Sequence, residues 1–288
     1  MYNDSDIFEI KNGVSLRRTG VVHRNEEYSD HYFHILMEMQ REHFWYLGRN
    51  RFLLAALKKH VARIGRPPDN LCAIDLGAGC GGWIAHLATS NTLRFKELAV
   101  GDSSLKALQF AERAVGPAIS RFQVDLLDLG WENRWDVVFL LDVLEHIPED
   151  VEVLRQVREC LAPNGLLFLT TPALKFFWTY NDELAGHQRR YSAGDLQALA
   201  QQSGLKLLTS KYFFFFLSPL LYISRLFGPK TQSLSPEQAR KHLERTHEVP
   251  AKPVNAMLRA IFSMETPLGL LIPFPWGTSV LGVFQKEK

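Results

Sequence analysis

Ala73-Ile74-Asp75-Leu76-Gly77-Ala78-Gly79-Cys80-Gly81-Gly82-Trp83 is an apolar run that ends in an acid, passes through alternating glycines and opens into a helix-like segment. Read as strand, turn and helix, it sets the Asp75 carboxylate beyond a strand end. Gly77, Gly79 and Gly81 allow a tight turn and let backbone N–H groups approach a ligand that a Cβ would hold off. The spacing Gly77-x-Gly79-x-x-Gly82 also fits a dinucleotide fingerprint. A plain turn would use the same residues, so the segments that follow have to decide.

Strands and helices alternate after it. Residues 71–76, 95–100, 119–124, 136–141 and 166–170 read as strands, and 82–89, 105–115 and 151–161 as helices. Such alternation implies a parallel sheet with helices on both faces and a ligand beyond the strand carboxyl ends. Upstream, Asn12-Gly13 between alternating apolar residues marks a hairpin. Residues 28–62 carry apolar side chains at helical spacing, and Gly65-Arg66-Pro67-Pro68-Asp69-Asn70 ends that pattern. Downstream, 193–203 reads as a helix closed by Gly204, and 205–216 as a strand. A Pro-rich, partly helical insertion follows at 218–275, then a last strand at 279–284, expected at the sheet edge. The expected divisions are therefore 1–65 (hairpin and cap helix), 66–217 (core), 218–275 (insertion or lid) and 276–288 (last strand).

Bulk properties narrow the function. The 288 residues are 46% hydrophobic and 22% charged, with a formal net charge of +2. That is ordinary globular composition, and no basic block interleaved with aromatics marks a nucleic-acid surface. Cys72, Cys80 and Cys160 form no CxxC pair, which argues against a zinc knuckle or a disulfide framework. A reducing cytoplasm fits, and the acidic start at Asp4 and Asp6 is not a secretory signal. The most apolar segment, 212–223, is too short for a membrane span and is interrupted by Pro219. It reads as a buried strand running into a helix. The sharper alternative is a lipophilic channel or a peripheral membrane contact through 212–227.

The chemistry-bearing residues close successive strands. Asp102 ends the second, at a distance from the glycine loop that suits an acid gripping ribose hydroxyls. Asp125 ends the third, where a carboxylate can accept from an adenine amino group or merely cap a loop. Trp135-Asp136-Val137-Val138 through Glu145-His146-Ile147 makes the fourth strand and its turn, and Leu161-Ala162-Pro163-Asn164-Gly165-Leu166 leads into the fifth. In this order, with the glycine loop, these elements resemble the class I S-adenosylmethionine-dependent methyltransferases over about residues 71–210, with a last strand near 278–286.

The resemblance implies a doubly wound α/β fold. Its mostly parallel seven-stranded sheet would have an antiparallel last strand, an N-terminal helical cap and a helical insertion before that strand. It also implies S-adenosyl-L-methionine as cofactor and S-adenosyl-L-homocysteine as product. By position, Gly77 and Gly79 would lie under the amino-acid part of the cofactor, with Asp75 at the same strand end. Asp102 and Ser103 would hold the ribose, Asp125 and Leu126 would bracket the adenine, and Leu141 would lie by the methionine part. Glu42 to Asn50 resembles the cap helix of a subgroup. Arg49 there is suited to a two-point fork on the cofactor carboxylate, with Tyr46 close by on the helix; a surface arginine beside a core aromatic is the plainer alternative.

Candidate bases are few. His187, in the loop after the fifth strand, suits removal of a proton from a hydroxyl, and His146 follows the fourth strand. Tyr180, Arg190, Tyr191 and Asp142 are candidates for touching the acceptor. Asp142, Glu145 and His146 would share one helix face and offer three metal ligands, as some related O-methyltransferases bind magnesium; the favoured expectation is no metal. These features point to methyl transfer onto a small apolar, lipid-linked or saccharide-linked acceptor, with O-methylation favoured and no nucleic-acid partner. A non-catalytic S-adenosylmethionine-binding partner subunit is the alternative, and an NAD-dependent oxidoreductase a third.

Overall fold

The computed structural model describes residues 4–23, 30–90, 92–226 and 234–287. In chain order, a turn of helix α1 (Asp4–Ile7) precedes the hairpin β1 (Phe8–Lys11) and β2 (Val14–Arg17). Helices α2 (Asp30–Glu42) and α3 (Phe44–His60) follow, then β3 (Cys72–Leu76), α4 (Gly82–Thr89), β4 (Glu97–Asp102), α5 (Leu105–Val115) and β5 (Ser120–Gln123). Next come β6 (Trp135–Leu141), α6 (Asp150–Cys160), β7 (Leu161–Pro172), α7 (Tyr180–Leu184), α8 (Ala193–Ser203) and β8 (Lys206–Phe213). The chain ends with α9 (Ser218–Leu226), α10 (Pro236–His247), α11 (Lys252–Leu271) and β9 (Ser279–Gln285).

The strands form one sheet in the order β1-β2-β5-β4-β3-β6-β7-β9-β8. Parallel pairing joins β2 through β7, and β9 runs antiparallel to both of its neighbours. The sheet therefore has nine strands, two more than expected, because the hairpin pairs with β5 and extends it. Asn12 and Gly13 both have positive φ (51° and 73°), which matches the right-handed twist of the flanking strands. The last strand is not at the edge. β9 lies between β7 and β8 and is buried along almost its whole length, so its continuous apolar run Val280–Phe284 is the mark of a strand covered on both faces.

Alternation along β6 divides the core. Val137, Phe139 and Leu141 face one layer, with Phe52 and Leu57 of α3, Ile84 of α4 and Phe262 of α11. Val138 and Leu140 face the other, with Val153 and Val157 of α6 and Leu196 of α8. The strand order reverses at β3, between β4 and β6, which opens a crevice at the carboxyl ends of these strands.

The expected helical stretch over 28–62 divides at His43, whose extended backbone (ψ 133°) ends α2 and whose ring accepts the Trp45 N–H at 3.2 Å to start α3. Residues 28 and 29 lie outside those described. The aromatic run sorts as a buried strand running into a helix. Phe213 stacks on Phe52 and Phe214 lies against Phe262, all inside the core. Residue 227, the end of the proposed membrane contact, is not among the described residues. Among those described, no helix is long and apolar enough to cross a membrane.

Candidate active site

A cleft of about 570 Å³ occupies the crevice at the strand carboxyl ends. Its wall brings together Tyr46, Arg49, Asp75, Gly77, Gly79 and Asp102 from the first half of the predicted set. Ser103, Asp125, Leu126, Leu141, Asp142 and His146 join them from the β4, β5 and β6 ends.

The glycine loop works differently from a phosphate cradle. The N–H groups of Gly77 and Ala78 donate to the Gly101 carbonyl at 2.8 and 3.1 Å, and that of Gly81 donates to Ala78. The Gly79 N–H donates to Asp102 Oδ2 at 2.9 Å, and the Gly82 N–H to Gln40 Oε1 at 3.0 Å. These donors are consumed within the protein, so the expected presentation of N–H groups to a ligand is corrected. The glycines instead permit close passage of the backbone. Gly77 has φ +70°, and a Cβ there would stand 2.5 Å from Val143. Asp102 uses its other oxygen, Oδ1, to accept the Ser104 N–H at 2.9 Å, which sets the loop into α5. Asp125 Oδ1 accepts the Leu127 N–H at 3.0 Å, so the loop-capping alternative holds for that oxygen.

Charges at the β3 and β6 ends are tightly packed. Arg49, only 4% exposed, donates from Nη1 to Asp142 Oδ2 at 2.6 Å and lies over the Tyr46 ring at 4.8 Å. Asp142 has φ +58°, a left-handed conformation that Asp tolerates. That turn carries its carboxylate to Arg49 and to the Thr170 hydroxyl, which donates to it at 3.1 Å. Asp75 is fully buried. Burial pushes its carboxyl up to about 8, the Arg49 guanidinium pulls it back, and Asp102 and Asp142 push it further up. Asp75 Oδ1, Asp142 Oδ1 and Arg49 Nε are buried without a hydrogen-bond partner among the described residues. Such atoms need a ligand or water to satisfy them.

The expected metal face does not form. Leu144–His146 is a 3-10 turn, not a helix, and Asp142 points to Arg49. The chelating atoms that gather within 4.8 Å of one another are those of Glu145, His146 and His187. Glu145 is buried, which holds its carboxyl well above the usual range, and the charge of Asp142 adds to this.

His146 reaches the cleft and His187 stands behind it, with ring centroids 4.8 Å apart. Burial, then the neighbouring His187, push His146 down to about 4, and a hydrogen bond to the Ala185 backbone opposes them. His187 Nδ1 lies 2.9 Å from Asp182 Oδ1. Arg190 donates to both oxygens of Asp182, at 2.8 and 3.0 Å, in a two-point fork. These contacts hold the Asp182 carboxyl down at about 2, although burial alone would raise it. Tyr191 donates to Asp150 Oδ2 at 3.0 Å beneath the sheet end. Arg190 and Tyr191 are thus committed to buried acids, and neither they nor Tyr180 belong to the cleft wall. Gln188 is the residue of this loop that does.

Sequence reasoning missed the roof. Tyr32, Phe33, Leu36 and Gln40 of α2, with His23 before it, cover the cleft. The apolar periodicity of α2 was legible, but nothing in it marks which crevice the helix covers. No described residue of 218–275 lines the cleft, so the expected lid is not its wall. Instead α10 braces α2, the Tyr32 hydroxyl lying 2.9 Å from His247 Nδ1.

A doubly wound sheet with an acid at each of three successive strand ends defines a protein that binds a nucleoside-containing cofactor at its switch point. A family model described as a methyltransferase domain matches residues 47–210, more than half of the chain, and the chain belongs to that family of S-adenosylmethionine-dependent methyltransferases. A ubiquinone biosynthesis O-methyltransferase of Pseudomonas syringae pv. tomato is 31% identical over 101 residues, 33% of this chain and 43% of that protein. One from Nitrosospira multiformis is 24% identical over 124 residues, 42% of this chain and 49% of that protein. The chain thus spans less than half the length of the curated relatives it matches. A solved structure of a putative sarcosine dimethylglycine methyltransferase from Galdieria sulphuraria shares the fold. It has a TM-score of 0.54 and 17% identity, with 83% of this chain and 85% of that chain covered.

The residues fit the cofactor. Buried, unpartnered carboxylate oxygens at Asp75 and Asp142 suit a cationic methionine end, and Asp102 stands at the strand end beside the glycine loop. The loop N–H groups, already used, would give a pyrophosphate nothing to bind.

Proposed function

We propose that the protein moves a methyl group from S-adenosylmethionine to a hydroxyl of a small, apolar acceptor. The observation that carries this is His146, a buried neutral imidazole in the cleft wall beside Leu141 and Asp142. The bound cofactor supplies an activated sulfonium methyl, so the protein's work is alignment, exclusion of water and removal of the acceptor proton.

In this reading Asp102 and Ser103 hold the ribose, and Asp125 with Leu126 bracket the adenine. Asp75, Gly77, Gly79 and Leu141 form the methionine end, where Tyr46 and Arg49 close the site. The Arg49–Asp142 pair makes Asp142 an organiser of that end and leaves the acceptor to Gln188 and Val143. His146 takes the hydroxyl proton on the ring nitrogen not bonded to Ala185. His187, held by Asp182 and Arg190, stabilises the proton once it has arrived. The O-methyltransferase relatives support a hydroxyl acceptor.

The test is transfer of labelled methyl from S-adenosylmethionine to a panel of phenolic and catecholic acceptors. His146→Gln should lower kcat by about 10²–10⁴ while S-adenosylhomocysteine still binds. Undiminished turnover in that variant would remove His146 from the chemistry. Tight NAD binding with no S-adenosylhomocysteine binding would end the whole reading.

A further inference from the structure

Helix α11 has two apolar faces, and the fold uses one. Leu258, Phe262, Glu265 and Gly269 turn toward α3 and β8. Val254, Met257, Ile261, Met264, Leu268 and Leu271 follow at alternating steps of three and four, so they line a second face along the whole 20-residue helix. This face is in water. Met257 is 56% exposed, Met264 62% and Leu271 79%. The small residues Ala256 and Ala260 and both helix prolines, Pro253 and Pro267, lie beside it and are also exposed. Exposed Ile272 and Trp276 extend it past the helix end, and Phe216 joins from the β8–α9 turn, whose N–H donates to Glu265 at 3.1 Å.

Charge sets the occupant. The one acid of α11, Glu265, is buried, so the outer face presents no carboxylate. Lys252 and Arg259 flank the apolar face on its α3 side. There Arg51 reaches across to the Arg259 carbonyl at 3.1 Å, and each guanidinium stands in the other's field. Lys59 and Lys211 form a second like-charged pair near the same helices. Among the described residues none of these six cations has a printed acidic partner within ion-pair distance, unlike Lys206 and Lys241, which do. A long apolar face with interfacial aromatics at one end and uncompensated cations along one side is complementary to the surface of an anionic bilayer.

We propose that α11 docks this protein on an anionic lipid surface, lying in the interface plane with its second apolar face among the acyl chains. The contact belongs to α11 and its flanking Phe216 and Trp276, because Phe213 and Phe214, the most apolar part of 212–227, are inside the core. It does not depend on which acceptor the cleft takes.

The test is flotation of the full chain with vesicles of phosphatidylcholine alone and of phosphatidylcholine with phosphatidylglycerol. The protein should float with the anionic vesicles and largely fail to float with the neutral ones, and added salt should release it. Met257→Glu with Met264→Glu and Leu271→Glu should cut the floating fraction about tenfold or more. S-adenosylhomocysteine affinity, measured by calorimetry, should stay unchanged because these side chains are exposed. Lys252→Glu with Arg259→Glu should weaken binding to anionic vesicles alone. No flotation with anionic vesicles at low salt overturns the proposal. So does a dimer in light scattering that the same glutamates split, which would assign the face to a second copy of the chain. A wild type that floats but transfers no methyl would count against the proposed activity and leave the docking intact.

Discussion

Asp75 carries the sharpest consequence of burial. With its carboxyl pushed up to about 8, it is largely protonated at neutral pH before the cofactor arrives. A cationic amine placed at its unpartnered oxygen would favour the carboxylate, so binding should release a proton. Calorimetric titration of S-adenosylhomocysteine at pH 7, in two buffers of different ionisation enthalpy, should show that release, with affinity rising toward pH 8. Asp75→Asn should abolish the buffer dependence; its persistence would place the proton elsewhere. Gly77 is the other decisive residue. Gly77→Ala combines a positive φ with a Cβ 2.5 Å from Val143. It should cost about 1–3 kcal/mol and remove cofactor binding, read by thermal unfolding and titration together.

Elements are held by a few polar side chains that reach out of one segment into another. Gln40 of α2 accepts the Gly82 N–H at the start of α4 and so ties the cleft roof to the glycine loop. Asp136 accepts the Cys72 N–H and pairs with Arg66, registering β6 against β3. Glu265 of α11 is buried, and backbone N–H groups around Phe214 to Phe216 converge on it. These hydrogen bonds lower its carboxyl, but burial wins and holds it above the usual range. Glu265→Ala should therefore cost about 1.5–3 kcal/mol by stranding those N–H groups, and Glu265→Gln should cost less because its amide oxygen still accepts. Equal losses from the two substitutions would mean that packing, not hydrogen bonding, is what Glu265 supplies.

At the scale of the molecule, buried titratable groups shape the response to pH. His43 and His146 are both pushed down to about 4, chiefly by burial. An imidazole with a depressed folded value contributes stability above its unfolded value of about 6.5, and loses it as pH falls through its folded value. The sign is opposite for Asp75, whose raised value means that stability drains as pH rises from about 4 toward 8. The melting temperature should fall between pH 6.5 and 4, by up to about 3 kcal/mol of stability per histidine. A smaller fall above neutrality should be reversed by S-adenosylhomocysteine. A melting temperature flat from pH 7 to 4.5 would show that these imidazoles are not buried neutral.

Much of this was written in local pattern. Alternating apolar runs, the Asn12-Gly13 turn and the glycines after Asp75 each report on backbone conformation and burial within a few residues, and so the parallel core and its strand-end acids were legible. Strand order and side-chain partnership depend on residues far apart in the chain, and no local period encodes them. That is why β9 was expected at the edge, although its unbroken apolar run is consistent with a strand covered on both faces. It is also why Asp142 was grouped with Glu145 and His146 as if on a helix, when one left-handed residue turns it to Arg49, 93 positions away. Arg190, Tyr191 and His187 read equally well as acceptor contacts or a base. Packing commits the first two to buried acids and sets His187 behind His146, because a buried carboxylate must be paired wherever the fold brings its partners. The cofactor could be inferred from the spacing of a few residues along the chain. The identity of the cleft's own base, its roof and the outward face of α11 waited on the three-dimensional packing that brings distant side chains together.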